Sequence, residues 1–150
     1  MLALPHKYFA TSTATPQAHV RLNSHGLEEL ISETPREFGG PGHLWSPETL
    51  LMAAVADCFV LTFKAVAATS HLDWAHMECT AQGTLDRVDG IVRFTDIHLR
   101  VDLTLASVED MERARRLLEK AEKGCLVSNS LKCQRTLEVE VDAVEEVHVA

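Results

Sequence analysis

The stretch Ser46-Pro47-Glu48-Thr49-Leu50-Leu51-Met52-Ala53-Ala54-Val55-Ala56-Asp57-Cys58-Phe59-Val60-Leu61-Thr62-Phe63-Lys64-Ala65-Val66-Ala67-Ala68 decides the fold. Ser46 is a strong helix N-cap, Pro47 suits the first helical position, and Glu48 complements the positive end of the helix. The helix is predicted to run to about Ala68, where Thr69-Ser70-His71 breaks the pattern. It is apolar nearly all round, so it is expected to be central and covered on most sides. One antiparallel sheet covers one side of such a helix, and a chain of 150 residues has little else to offer. A second copy of the chain supplying the other wall is the economical solution, which implies an obligate homodimer; a large single-chain core is the alternative.

Around that helix the chain reads as one α+β domain over residues 1–150, without repeat, linker or low-complexity segment. Residues 8–31 suggest short strands with a turn at Asn23-Ser24-His25-Gly26. A Gly-rich loop from Pro35 to Gly42 leads into the helix. Beyond it, Met77, Cys79, Ala81 and Leu85 alternate with Glu78, Thr80, Gln82 and Thr84 as a strand. The turn Asp86-Arg87-Val88-Asp89-Gly90 joins this to a second strand with Ile97, Leu99, Val101, Leu103 and Leu105 inward. Ser107 caps a helix through Lys123 with Met111, Ala114, Leu117, Leu118 and Ala121 as its apolar stripe, and Gly124 stops it. Ser128 to Cys133 reads as a short helical turn, and Leu137, Val139 and Val141 alternate with Glu138, Glu140 and Asp142 as a last strand.

A formal net charge of −8 argues against a nucleic-acid or anionic-membrane partner unless basic residues are concentrated somewhere. The densest basic cluster (Arg113, Arg115, Arg116, Lys120, Lys123) is interleaved with Glu109, Asp110, Glu112, Glu119 and Glu122, which makes an ordinary solvated helix face. No apolar run is expected to reach the roughly 20 residues that span a bilayer. The first residues lack the basic-then-apolar layout of a signal peptide, so a cytoplasmic protein is expected.

The chemistry rests on four cysteines: Cys58, Cys79, Cys125 and Cys133. They form no Cys-x-x-Cys, and no helical His-x-x-x-His is present, so a zinc site has little support. Cys79 lies on an apolar strand face and reads as core filler. Cys58, in a run of small apolar residues, reads equally as a small hydrophobe. Cys125 follows a helix end, where a thiolate is stabilised and reachable, so Cys58 and Cys125 are candidates for a redox couple.

The segments Glu37-Phe38-Gly39-Gly40-Pro41-Gly42, Trp45-Ser46-Pro47-Glu48-Thr49-Leu50-Leu51 and Ala56-Asp57-Cys58-Phe59, followed by Cys125-Leu126-Val127-Ser128-Asn129-Ser130-Leu131, resemble the OsmC/Ohr superfamily. The resemblance spans about Gly26 to Val141 in the right order. It implies an OsmC-like fold, an antiparallel β-sheet wrapped around a long central helix, in an intertwined homodimer. It also implies thiol-dependent reduction of organic hydroperoxides without metal, flavin or haem. Cys58 would be the peroxidatic thiol, Cys125 the resolving thiol, and Glu48 the family's glutamate at the head of the helix. The reductant would be an external dithiol, for which the family precedent is a lipoylated protein. The apolar residues Phe38, Leu50, Phe59 and Phe63 would favour a fatty or aromatic hydroperoxide. Glu48 lies ten residues before Cys58, roughly 15 Å along a helix axis, so it would serve the thiol only from the partner subunit. Otherwise it stabilises its own helix N-terminus.

Three departures from the family pattern bear on activity. Gln17 stands where the hydroperoxide-resistance enzymes carry a thiolate-stabilising arginine, and it is neutral. Arg36 in the loop before the helix is the substitute candidate and Arg21 a weaker one, although each also reads as a surface arginine. Asp57 beside Cys58 would raise the thiol pKa if it faced the sulfur. Leu126 replaces the proline usual after the second cysteine. The competing reading is a catalytically weak or inactive OsmC-like protein that binds a small apolar molecule at the dimer cleft.

Overall fold

The computed structural model describes residues 2–144. The chain forms two compact units, Met1–Leu51 and Met52–Ala150. Helix α1 (Pro47–Thr69) begins in the first and continues in the second.

In the first unit, β1 (Thr11–Thr13), β2 (Val20–Asn23) and β3 (Leu30–Ser32) form a three-stranded antiparallel sheet in chain order. The predicted turn closes between β2 and β3, with Leu27 N–H donating to the Ser24 carbonyl at 3.1 Å. A single 3-10 turn, Arg36–Phe38, lies within the Gly-rich loop. Ser46 caps α1 as its sequence required. Its Oγ accepts from Thr49 N–H at 3.2 Å, and its own N–H donates to Thr49 Oγ1 at 2.9 Å, so two donors are satisfied reciprocally.

The second unit is built on β4 (Trp74–Val88) and β5 (Ile91–Leu105), a long antiparallel hairpin. Its turn is only Asp89-Gly90, with φ of 52° and 79°, so the five-residue turn expected from the sequence is two residues long. An Asp-Gly pair in left-handed conformation matches the twist of the flanking strands, which lets both run on to it. After β5 come α2 (Met111–Gly124), a one-turn helix α3 (Leu126–Asn129) and β6 (Gln134–Ala143). α3 begins before the turn expected at Ser128 to Cys133 and shares only Ser128 and Asn129 with it. β6 pairs with β5 in parallel, giving the sheet order β4-β5-β6. The sheet is therefore mixed where an antiparallel one was expected; the crossover through α2 and α3 returns the chain to the same end of the sheet.

Ile97, Leu99, Val101, Leu103 and Leu105 of β5 pack with Val55, Phe59, Phe63 and Ala67 of α1, Ala114, Leu118 and Ala121 of α2, and Val141 of β6. Full burial of each large side chain contributes about 1.5–3 kcal/mol. Phe63 adds an edge-on contact with Trp74, ring centroids 5.7 Å apart. Only this stripe of α1 is buried, and Leu61 on another side stays 55% exposed. α1 has 23 residues and a mean hydropathy of 1.9 over its best window, enough to cross a membrane by length and composition alone. This corrects the expectation that no apolar run was long enough. Asp57 and Lys64 interrupt the run but do not offset its many Ala, Val, Leu and Phe residues.

Candidate functional site: two thiols at the end of α2

Cys58 lies one position before Phe59, about 100° around α1 from the buried stripe, and is partly exposed. Thr62, one turn on, donates its hydroxyl proton to the Cys58 carbonyl at 2.7 Å. The end of α2 meets α1 on this side: a Cβ on Gly124 would rest 3.4 Å from Thr62 Cγ2. The next residue is Cys125, fully buried, in extended conformation (φ −68°, ψ 110°) as the N-cap of α3. α2 runs one residue beyond the end expected at Lys123, through Gly124, and Cys125 itself is its C-cap.

The segment that carries Cys125 is pinned on both sides. Ser128, 1% exposed, donates its hydroxyl to Cys125 Sγ at 3.2 Å. Asn129 Nδ2 donates to the Lys123 carbonyl at 3.0 Å, while its Oδ1 accepts from Arg135 Nη1 at 3.0 Å. Arg135 Nε also lies 3.3 Å from Glu122 Oε1. α2, α3 and β6 are tied together through this one guanidinium, whose planar fork suits two acceptors at once.

The environment separates the two thiols electrostatically. Burial opposes ionisation of Cys58, but the backbone N–H groups of Val127 and Leu126 and the Cys125 thiol outweigh it and hold its pKa below the ordinary value of 9.0. The Thr62 hydroxyl adds little, because its single proton already goes to the carbonyl. Burial pushes Cys125 up despite the Ser128 donors, and the neighbouring Cys58 adds to the rise. The two shifts run in opposite directions, so Cys58 ionises before Cys125. Burial and the adjacent Cys125 push Cys79 up to about 11, so this third thiol stays neutral near pH 7.

The remaining residues singled out from the sequence are placed as follows. Asp57 is exposed on α1, next to Cys58 in the chain. Arg21 is engaged by Glu29 in an ion pair within the first unit. Arg36 is exposed at the start of the 3-10 turn and packs against Gly42. Gln17 is exposed in the loop between β1 and β2. Glu48 and Phe38 line a cavity of about 440 Å³ with Val20, Leu22 and Leu50. Glu48 Oε2 is buried with no hydrogen-bond partner among the described residues. Phe59 and Phe63 are fully buried in the core, so they cannot form the wall of a substrate cleft as expected. Among the described residues, no three His, Cys, Asp or Glu side chains converge to hold a metal ion.

Sequence reasoning missed the amide donors of Leu126 and Val127, the bond from Ser128 and the Arg135 tie. The only trace of the first was Leu126 itself, which has an N–H where proline has none. Ser128, three residues after Cys125, is the hydroxyl signal that could have been read.

The α+β frame leaves Cys58 partly exposed on α1 and Cys125 buried after α2. The OsmC-like protein family model matches residues 40–141, and the chain belongs to that family. The chain is 29% identical to the uncharacterized protein YmaD of Bacillus subtilis over 112 residues, 73% of each. It is also 29% identical to peroxiredoxin OsmC of Escherichia coli over 96 residues, 64% of this chain and 66% of that one. Among solved structures it resembles an OsmC-like protein of unknown function from Vibrio cholerae (TM-score 0.83, 16% identity, 91% of this chain and 100% of that one). It also resembles an organic hydroperoxide resistance protein from Elizabethkingia anophelis (TM-score 0.74, 20% identity, 95% and 100%). At these identities the structures establish the fold. Family membership supports a peroxiredoxin-like role.

Proposed function

We propose that the protein is a thiol-dependent peroxidase that reduces organic hydroperoxides. The Cys58 thiolate attacks the distal peroxide oxygen, the O–O bond breaks, and the departing alkoxide takes a proton to leave as an alcohol. Cys58 becomes a sulfenic acid. The Cys125 sulfur then attacks the Cys58 sulfur, and the thiol proton leaves with the sulfenic hydroxyl as water, giving a Cys58–Cys125 disulfide. An external dithiol, with a lipoylated protein as the family precedent, restores both thiols by exchange and is itself oxidised to a disulfide. The single observation that carries this reading is the split between adjacent thiols: the activated one is reachable and the protonated one is buried behind it.

The reading includes a homodimer in the cytoplasm. The apolar sides of α1 that one chain leaves uncovered and the orphaned Glu48 oxygen support it, with Glu48 serving the partner's Cys58 and Arg36 adding positive charge. Turnover of cumene hydroperoxide with a small dithiol, against a Cys58→Ser control, tests the activity. Loss of all turnover in the control is expected, and a wild type no faster than the control refutes it. The apolar cavity of about 440 Å³ favours a second reading, binding of a small apolar molecule without chemistry.

A further inference from the structure

The hydroxyls beside the two thiols are used differently. Thr62 Oγ1 donates to the Cys58 carbonyl at 2.7 Å and Ser130 Oγ to the Leu126 carbonyl at 2.9 Å, each the ordinary back-bond of a helical hydroxyl to a carbonyl four residues earlier. Ser128 departs from that habit. The Cys125 carbonyl already accepts from Asn129 N–H at 3.0 Å, and the Ser128 hydroxyl donates instead to Cys125 Sγ at 3.2 Å. Ser128 is 1% exposed and Cys125 0%, so bulk water does not compete for either group. A buried hydroxyl needs a partner, and among the described residues this sulfur is the partner it has. A neutral thiol is a weak acceptor, whereas a hydrogen bond to an ionised acceptor is roughly twice as strong as a neutral one. The Ser128 bond therefore strengthens whenever Cys125 carries negative charge.

We propose that Ser128 is a catalytic residue of the reductive half of the cycle, stabilising Cys125 as the leaving thiolate when the external dithiol attacks the disulfide at Cys58. This rests on the reading of Cys58 and Cys125 as the redox pair and deepens it. Of the two sulfurs, Cys58 is partly exposed and Cys125 is buried, so an incoming thiolate reaches Cys58. A bond forms from the reductant sulfur to Cys58 Sγ, the Cys58–Cys125 bond breaks, and its electron pair leaves on Cys125 Sγ. A sulfur leaves faster the better its anion is stabilised. The cysteines are free thiols in this structure, so it shows the arrangement that this step produces, with the Ser128 hydroxyl already on the departing sulfur. Cys125 then takes up the proton that the attacking thiol gave up. The second thiol of the reductant loses its proton to solvent and attacks the reductant's own sulfur in the mixed disulfide. The reductant leaves as a disulfide, and Cys58 is released as a thiolate ready for the next peroxide.

The test starts from protein oxidised with diamide, so it does not depend on peroxide chemistry. Oxidised wild type is mixed with β-mercaptoethanol, quenched in acid, and mapped by mass spectrometry of its non-reduced peptides. The mixed disulfide should lie on Cys58, with Cys125 recovered as a free thiol. A mixed disulfide on Cys125 overturns the proposal, and this arm needs no variant that could misfold. The second arm follows reduction of the oxidised protein by dithiothreitol. Ser128→Ala should slow it about five- to tenfold, the effect of losing one hydrogen bond to a sulfur that is partly charged in the transition state. Ser128→Thr, which keeps the hydroxyl, should recover most of the rate. A Ser128→Ala variant with native circular dichroism that is reduced as fast as wild type overturns the proposal. Equal slowing in Ser128→Ala and Ser128→Thr also overturns it, because the hydroxyl is then not the group that acts. Cumene hydroperoxide turnover is scored separately, so reduction directed to Cys58 and dependent on the Ser128 hydroxyl in a protein without turnover upholds Ser128 and refutes the peroxidase reading.

Discussion

Replacing Arg135 by Met should loosen the site without touching either thiol. Arg135 bonds Asn129 at 3.0 Å and lies 3.3 Å from Glu122. The Arg and Glu side chains are 26% and 19% exposed, between the surface and buried regimes. Fully exposed ion pairs contribute about 0.2–1 kcal/mol, and hydrogen bonds to charged groups about 1.5–3 kcal/mol. Met keeps most of the unbranched stem, so little packing is lost. The expected cost is about 1–3 kcal/mol, or roughly 3–10 °C in Tm for a domain of this size. Urea unfolding of wild type, Arg135→Met, Glu122→Gln and the double variant forms a cycle whose coupling should be near 1 kcal/mol and should shrink at high salt. In parallel, peroxide-driven disulfide formation should slow several-fold in Arg135→Met, because the freed segment no longer presents Cys125. Unchanged stability together with an unchanged disulfide rate would refute the view that this guanidinium holds the site.

Cys79 is expected to set an alkaline limit: its folded pKa of about 11 lies above its ordinary 9.0, so its contribution is complete below about 9 and lost as pH rises through 11. Cys79→Ala should flatten the fall in urea midpoint across that window. Leu61→Asp, on an uncovered side of α1 where Leu61 is 55% exposed, should turn the proposed dimer into a monomer by light scattering while leaving the core intact. Arg36→Ala should raise the pH midpoint of Cys58 alkylation and leave dimerisation unchanged by light scattering.

Much of the frame was legible in the residues. Ser46-Pro47-Glu48 announced the start of α1, and strict alternation in β5 named the five residues that fill the core. The phase of α1 was not legible. With apolar side chains all round, nothing in the run marks which stripe meets the sheet, and so Phe59 and Phe63 were assigned to a cleft. The direction of β6 was hidden because alternation is the same for parallel and antiparallel pairing; only the path through α2 and α3 decides it. In the site, the two thiols could be paired through the family motifs, but their activation could not be seen. Backbone groups leave no side-chain signature, so the Leu126 and Val127 N–H groups that lower the Cys58 pKa could not be read from residue types.

The central claim is that Cys58 attacks and Cys125 resolves, and one measurement meets it directly. The reduced protein is treated with one equivalent of cumene hydroperoxide, quenched by alkylation and mapped by mass spectrometry of its non-reduced peptides. The account predicts one intrachain disulfide joining Cys58 to Cys125, with Cys79 and Cys133 recovered alkylated. A disulfide from Cys58 to Cys79 or Cys133, or a Cys58 that stays a free thiol while peroxide remains, would contradict it.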